Sequence, residues 1–242
     1  MSNALVKQLR HDLYAIRGWI GWVHLLVDDA GIGLVDSGFI GDERRIHKAI
    51  RTLGYRSTDL RVILLTHGHL DHTLNAAALQ NSTGARLYAP AGDELHVEGR
   101  YPYCGPARVC GWLETAGRAV LRYQQPVVDV WMHDGDELPY WGGLRVRALP
   151  GHTAGHAGFY SRSKRVLFVG DAFAASFRIA LPPAILNTDT AAVRQSFLKL
   201  AVTENITLIP AHYLGFDDHF SVRIRAKAKA LRTRLASTAA TR

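Results

Sequence analysis

The stretch Thr66-His67-Gly68-His69-Leu70-Asp71-His72-Thr73 contains four side chains that can bind a metal ion within six consecutive positions. The apolar run 62–65 before it predicts a buried strand, and residues 74–79 predict a helix. The four side chains therefore lie where a strand ends and a helix begins, which is where open α/β sheets place their ligands. Imidazole and carboxylate groups suit zinc, and also iron or manganese. We expect a metal site, because a helix-capping Asp71 beside surface histidines would not explain this spacing.

This stretch resembles the HxHxDH motif of the metallo-β-lactamase-fold hydrolases. Three later segments resemble the remaining ligand positions of that family, namely Gly151-His152-Thr153, Gly170-Asp171-Ala172 and Pro210-Ala211-His212. The resemblance extends from about Leu25 to His212. It implies an α/β (α+β) fold, the four-layer αββα sandwich of the metallo-β-lactamase type. We expect residues 1–242 to form a single domain of this type.

The resemblance also implies how the ligands are divided. The first metal would be held by three histidines, His67, His69 and His152. The second would be held by Asp71, His72 and His212, and Asp171 would bridge the two. We expect two Zn²⁺ ions per chain, with iron or manganese as alternatives, and we expect Asp71 and His72 to be catalytic. A hydroxide bridging two such metals is a nucleophile at neutral pH, and one metal can stabilise the developing oxyanion.

The expected reaction is hydrolysis of an ester, thioester or lactone bond in a small molecule. Asp171 matches the bridging aspartate of the glyoxalase II-like and lactonase-like members, which the true β-lactamases lack. Ala174 stands where the quorum-signal lactonases carry a tyrosine, which argues against a lactonase. The alternatives are a mononuclear iron persulfide dioxygenase, a β-lactam hydrolase and a binding module on an inactive scaffold. The seven filled ligand positions argue against the last.

Other polar residues near the motif have two possible roles. Asp36-Ser37-Gly38 follows a predicted strand and resembles a family segment whose aspartate supports the metal site. Asp36 could equally cap the next helix, which is expected from near Asp42 to Leu53. Asp171 ends an apolar strand, where a cap or a hydrogen bond to a turn is the alternative to metal binding. His156 is expected to form a hydrogen bond or to pack, not to bind metal.

Two connections are candidates for the walls of a substrate pocket. Residues 99–117 and 172–188 show no helical or strand periodicity and carry aromatic side chains, including Trp112 and Phe177. Ligand pockets are mostly apolar with a few fixed polar groups. We therefore expect both connections to flank the metal site. A surface cover over the core is the alternative for residues 99–117.

Composition limits the class of protein. The chain has 242 residues, of which 48% are hydrophobic, so it can bury a sizeable core. No apolar run reaches the length of a membrane span, and the first residues show no signal-peptide core. We therefore expect a cytoplasmic enzyme with no membrane partner. In that compartment Cys104 and Cys110 are expected to be free thiols, with a disulfide between them as the alternative. The sequence does not define the oligomeric state, and a dimer is compatible with it.

The net charge of +8 is compatible with an anionic partner. The basic residues are densest between positions 223 and 234, where they would surround a helix and not form one stripe. No platform of alternating aromatic and basic residues accompanies them. We interpret this segment as a solvated terminal helix, and we do not expect a nucleic-acid partner.

Overall fold

The computed structural model describes residues 5–175, 178–202, 205–213 and 220–240. Within these residues, seven strands form the first sheet in chain order: β1 (Val6–Arg10), β2 (Leu13–Arg17), β3 (Trp22–Asp28), β4 (Gly31–Val35), β5 (Leu60–Leu64), β6 (Arg86–Pro90) and β7 (Val130–Met132). Strands β1 to β4 are antiparallel, and β4 to β7 are parallel. The parallel half brings the carboxyl ends of β4 and β5 to one edge.

A second sheet faces the first. It contains β8 (Glu137–Leu138), β9 (Leu144–Ala148), β10 (Ala157–Ser161) and β11 (Val166–Gly170) as antiparallel neighbours. The short strands β12 (Ala174–Ala175) and β13 (Ile179–Ala180) pair with each other. The last strand, β14 (Thr207–Pro210), is parallel to β11, and the order across the sheet is β14-β11-β10-β9-β8. The carboxyl ends of β11 and β14 therefore also lie side by side.

Helices cover the outer face of each sheet. They are α1 (Asp42–Thr52), α2 (Leu70–Thr73), α3 (Ala76–Thr83), α4 (Glu94–Val97), α5 (Arg108–Val120), α6 (Thr190–Leu200) and α7 (Phe220–Ala240). The helix expected near residues 42–53 is confirmed as α1, and the expected terminal helix as α7. Asp189 caps α6, because its carboxylate accepts hydrogen bonds from the Ala191 and Ala192 amides at the start of that helix.

Three apolar clusters separate the layers, because side chains alternate between the faces of each strand. In β5, Ile63 packs with α1 and α3, whereas Val62 and Leu64 pack against the second sheet. In β11, Phe168 faces the first sheet, and Leu167 packs with α6 and α7. Each large apolar side chain buried in this way stabilises the fold by about 1.5–3 kcal/mol. The layer order is therefore helix, sheet, sheet, helix.

Two predicted elements differ in the structure. The predicted helix 74–79 corresponds to α3, which begins two residues later and is separated from the additional short helix α2 by a break at Asn75. The Asn75 amide donates hydrogen bonds to the carbonyls of Ser37 and Phe39, both at 2.8 Å, and so ties this break to the loop after β4. The apolar segment 127–131 also favours a strand, but the strand formed there, β7, begins only at Val130.

The larger difference concerns residues 99–117, where no periodicity was expected. The second part of this segment belongs to α5. Glycines are normally unfavourable inside a helix, but here they allow close packing. A Cβ on Gly117 would lie 2.8 Å from Leu70 Cδ2, and one on Gly111 would lie 3.2 Å from the ring of Tyr103. These contacts are long-range, so the local pattern could not reveal them.

Candidate metal centre

Strand ends bring the predicted ligands together at one edge of the two sheets. His67, His69, Asp71 and His72 follow β5, His152 follows β9, Asp171 follows β11, and His212 follows β14. All seven lie in two adjacent sets of potential metal ligands. The turn after β5 needs a glycine at position 68, because a Cβ there would lie 2.3 Å from His96 Cβ.

The first set consists of His67, His69 and His152. Their candidate ligand atoms lie within 4.8 Å of one another, and all three side chains are buried. The ring centroids of His67 and His69 are 4.8 Å apart, and those of His69 and His152 are 4.4 Å apart. Three imidazoles that converge in this way match the nitrogen ligands that zinc takes in proteins.

The second set consists of Asp71, His72, Asp171 and His212, again with candidate ligand atoms within 4.8 Å of one another. The Nε2 atom of His212 lies 3.5 Å from Asp71 Oδ2 and 3.2 Å from Asp171 Oδ2. The Nε2 atom of His72 lies 3.5 Å from Asp71 Oδ2 and 3.6 Å from Asp171 Oδ1.

The Asp171 carboxylate lies between the two sets. Its Oδ1 faces His72, whereas its Oδ2 faces His212 and also lies 3.6 Å from Nε2 of His152 in the first set. Asp171 is therefore a predicted ligand whose carboxylate faces members of both sets. It does not cap a helix, because the strand that it ends leads into the short β12.

Each of the five histidines has a partner on its second ring nitrogen, which fixes the ring orientation. The Nδ1 atom of His72 donates to Asp36 Oδ2 at 2.9 Å, that of His152 to Asn187 Oδ1 at 3.0 Å, and that of His212 to the Ile20 carbonyl at 2.9 Å. The Nδ1 atom of His67 donates to Thr66 Oγ1 at 3.0 Å. In His69 it is Nε2 that contacts a partner, the hydroxyl of Tyr103.

Asp36 does not cap α1, whose N-cap position is occupied by Gly41. Its carboxylate accepts hydrogen bonds from His72 and from the amide and hydroxyl of Thr66. The backbone of Asp36 has a φ of 61°, which is uncommon for a residue other than glycine. This local strain is located where one carboxylate orients two neighbouring histidines, His72 directly and His67 through Thr66.

The pKa values of histidines in the two sets are shifted in opposite directions. Burial, with a contribution from neighbouring histidines, holds the pKa of His67 and of His69 well below its usual range. Burial alone would lower the pKa of His72 too, but the carboxylates of Asp71, Asp36 and Asp171 outweigh it and hold the pKa well above its usual range. The Asp171 carboxylate raises the pKa of His212 to about 11.

Asp171 itself is kept ionised. Burial raises the pKa of a carboxyl group, but the neighbouring His212 and His72 outweigh it and hold the pKa of Asp171 well below its usual range. In the absence of metal, the second set is thus a cluster of paired charges, whereas the His67 and His69 rings of the first set are neutral.

His156 forms hydrogen bonds, as expected. Its Nδ1 donates to the Leu149 carbonyl at 3.1 Å, and its Nε2 accepts the amide proton of Asp171 at 3.0 Å. These two bonds use both ring nitrogens and define the tautomer. Burial lowers the pKa of His156 to about 3, so the ring is neutral. His156 therefore holds the backbone of Asp171 in place.

Several contributors were not found from the sequence. Asp93 is fully buried, and it accepts hydrogen bonds from the Gly68 amide (2.8 Å), the Thr153 hydroxyl (2.6 Å) and the Gly155 amide (2.6 Å). It thereby links the loop after β5 to the loop after β9. His69, Cys110 and Glu114 form a further set of potential ligands within 4.8 Å of one another. Asp93 precedes a short helix and Glu114 lies within α5, so neither has a local motif.

The predicted pocket walls are placed only in part. Tyr103 of residues 99–117 contacts His69, and Asn187 of residues 172–188 contacts His152, but both contacts are polar. Trp112 is 69% exposed on α5. Phe177 lies outside the described residues.

A different segment provides an apolar wall. A small groove, with a cavity volume of only about 10 Å³, lies beside Asp71, His72 and His212. Its apolar lining includes Ile20, Trp22 and Phe39, from the loops before β3 and after β4 and from the start of β3. Residues 18–21 and 37–41 have a pattern typical of turns, so nothing in the local sequence indicated this wall.

Features away from the site are consistent with a solvated exterior. Helix α7 exposes basic side chains, namely Arg225, Lys229, Arg232 and Arg234. Its Ile224 and Ala228 side chains pack in the core. Cys104 and Cys110 are both free thiols, the first exposed and the second buried. Among the helices that the structure describes, none is both long and apolar enough to cross a membrane.

Comparison with known proteins agrees with this geometry. The family model of the metallo-beta-lactamase superfamily matches residues 16–212, so the chain belongs to that superfamily. A solved metallo-beta-lactamase family protein of Thermus thermophilus has a TM-score of 0.72 at 22% identity, with 95% of this chain and 82% of that one covered. The expected αββα fold is therefore confirmed.

Two curated relatives are acylglutathione hydrolases by name. Hydroxyacylglutathione hydrolase GloC of Haemophilus influenzae is 27% identical over 194 residues, which cover 76% of this chain and 81% of the relative. Hydroxyacylglutathione hydrolase of Cereibacter sphaeroides is 28% identical over 221 residues, which cover 90% of this chain and 72% of the relative. The expected class, a metallo-hydrolase that acts on an acyl bond, is confirmed.

Proposed function

We propose that the chain is a dinuclear zinc hydrolase that cleaves a thioester, ester or lactone bond in a small molecule, with a thioester as the favoured substrate. One metal would be held by His67, His69 and His152, and the other by Asp71, His72 and His212, with Asp171 shared. The observation that carries this proposal is the Asp171 carboxylate, whose two oxygens face ligands of both sets at 3.2–3.6 Å.

The donor atoms fit metal ions. The Nε2 atoms of His67, His72 and His152 and Oδ1 of Asp171 are buried without a hydrogen-bond partner among the described residues. A buried polar atom left unpaired costs about 1–3 kcal/mol, and more if it is charged. Four such atoms that face one another are accounted for if cations occupy the space between them. Imidazole and carboxylate donors suit zinc first, and iron or manganese are also possible.

When bound, two such metals lower the pKa of a shared water and polarise the substrate carbonyl. Residues of the protein orient the ligands. Asp36 and Thr66 orient His72 and His67, and Asn187 orients His152. His156 holds the amide of Asp171, which keeps the shared carboxylate at its strand end. Asp71 and His72, which we propose as catalytic, line the groove and would face the reacting bond.

The preference for a thioester rests on the relatives, because both are named for hydrolysis of a hydroxyacylglutathione, in which the acyl group is joined to sulfur. The apolar lining of the groove supports a substrate with an apolar acyl part next to the carbonyl. A cytoplasmic location and a small-molecule substrate remain part of the proposal.

The test combines metal analysis with a substrate panel. Freshly purified protein would be analysed for metal and then assayed with S-acylglutathione thioesters, aryl esters, lactones and a β-lactam. We expect zinc and the highest kcat/KM with a thioester. His11→Ala is the matched control for substitutions in the site, because the His11 side chain is 87% exposed.

Two results of this test would indicate one of the alternative functions instead. Iron as the purified metal, with oxygen consumed in the presence of a glutathione persulfide and no hydrolysis of the panel, would indicate the persulfide dioxygenase. Turnover of the β-lactam alone would indicate the β-lactam hydrolase.

A further inference from the structure

His69 differs from the other four histidines of the site in how its ring is held. The other four donate Nδ1 to a partner, which leaves Nε2 to face the cluster. In His69 the Nε2 atom contacts the Tyr103 hydroxyl, so that Nδ1 is the atom available to a metal. A histidine has to be neutral to bind a metal, and the proton then sits on the other ring nitrogen. The partner of His69 Nε2 therefore decides which atom is free.

Tyr103 is itself held firmly. Its side chain is 6% exposed and packs with Ala107, Cys110 and Leu186 in a small cluster separate from the main core. The Cys110 thiol is a polar neighbour of Tyr103 within that cluster. A phenol hydroxyl can donate one hydrogen bond while it accepts another.

Other polar groups near His69 are placed less favourably to accept the Nε2 proton. The His96 ring lies 5.9 Å from that of His69 and 5.5 Å from that of Tyr103, centroid to centroid, and its two nitrogens make no hydrogen bond to the described residues. Glu114, the carboxylate of the third ligand set, accepts hydrogen bonds from the Leu70 amide at 3.0 Å and the Tyr101 hydroxyl at 3.3 Å.

We propose that Tyr103 is a positioning residue for His69: its hydroxyl oxygen accepts the Nε2 proton, and this holds Nδ1 deprotonated and directed at the first metal. The Tyr103 proton is then left for a second acceptor, for which the neighbouring Cys110 thiol is the candidate. This inference rests on the proposed metal site, and it adds a residue to which no local motif points. Without the hydroxyl, His69 would rotate or adopt the tautomer with Nδ1 protonated, and neither form can bind the metal as well.

Tyr101 provides a matched control. It lies next to Tyr103, with ring centroids 6.3 Å apart, but its hydroxyl bonds to Glu114 and not to a predicted ligand. Tyr103→Phe and Tyr101→Phe remove the same atom from the same small cluster. A loss of packing or stability in that cluster would affect both variants, whereas a loss of support for His69 would affect only Tyr103→Phe.

Two measurements that do not depend on turnover test the proposal. The first is the rate at which a chromophoric chelator removes zinc from the purified protein. The second is the visible absorption spectrum of the cobalt-substituted protein, which reports the ligands of each ion. We expect Tyr103→Phe to lose the zinc of the first set about 10–100-fold faster, as for other partners of ligating histidines, and to show an altered cobalt spectrum. Tyr101→Phe should match the wild-type protein in both.

A wild-type rate and spectrum in Tyr103→Phe would overturn the positioning role, as would equal changes in the two variants. These results differ from a failure of the proposed function, in which the wild-type protein itself would hold no zinc. Cys110→Ala should change the rate in the same direction as Tyr103→Phe but by less, and Cys104→Ala, at an exposed thiol, should not change it.

Discussion

The two sets of predicted ligands differ in charge and in how they are supported. The first set, with His67, His69 and His152, contains no carboxylate, and its rings bond to two hydroxyls and an amide. The second set contains the carboxylates of Asp71 and Asp171, and its His72 is held by a third carboxylate, that of Asp36. His67 and His69 of the first set are already neutral and can accept a cation without losing protons, whereas His72 and His212 of the second set are protonated and have to release protons first.

The largest effect is expected from removal of a ring in the neutral set. His67→Ala and His69→Ala should each lower turnover by roughly 100-fold or more, because catalysis then loses a preorganised metal. Both residues follow β5 and are not part of the apolar clusters, so the protein should remain folded. Turnover of a thioester and circular dichroism are the measurements. Full activity in either variant would remove the metal-site account, and His11→Ala should behave as wild type.

Removal of a charged support should affect the second set selectively. Asp36→Asn keeps a side chain that tolerates a positive φ but replaces the carboxylate behind His72. We expect the affinity of the second metal to fall by about 10–100-fold, with the first little changed. Asn187→Ala should instead weaken the first metal, by about 10-fold, because a neutral amide is lost. Metal content after dialysis against graded concentrations of a chelator distinguishes the two variants. Loss of the first metal in Asp36→Asn, or of the second in Asn187→Ala, would contradict the division of the ligands into these two sets.

A change of one pH unit has the smallest expected effect. His212, whose pKa is raised to about 11, carries a proton in the metal-free protein at neutral pH, and that proton has to leave before a metal binds. The affinity of the second set should therefore rise as pH increases from about 7 to about 9, by up to about tenfold per unit for each proton displaced. His67 and His69, with lowered pKa values, are already neutral, so the affinity of the first set should stay flat.

Calorimetric zinc titrations in two buffers of different ionisation enthalpy count the released protons. Two binding steps with different proton release are expected, the larger release belonging to the second set. Equal release in both steps would show that the charge difference between the sets does not govern metal binding.

The metal ligands and the residues that support them differ in how far the sequence could predict them. The ligands themselves follow directly from strand ends, and parallel neighbours such as β4 and β5 bring those ends to one edge. Local pattern thus led to the four ligands after β5, whereas the family resemblance pointed to Asp36 and to the later ligands, His152, Asp171 and His212. The supports that were missed, Tyr103, Asn187 and Asp93, reach the site from connections distant in sequence. Their roles depend on long-range packing, such as the approach of α5 to Leu70 through Gly117, which no periodicity encodes.

The central claim is that Asp171 joins two metal sites, and elemental analysis tests it most directly. Wild-type protein and Asp171→Ala would be dialysed identically and their metal content determined. We predict about two metals per chain for the wild type and nearer one for the variant, because the first set keeps three histidines while the second loses a carboxylate. Turnover should fall steeply with the second metal. Equal metal content in the two proteins would contradict the bridge.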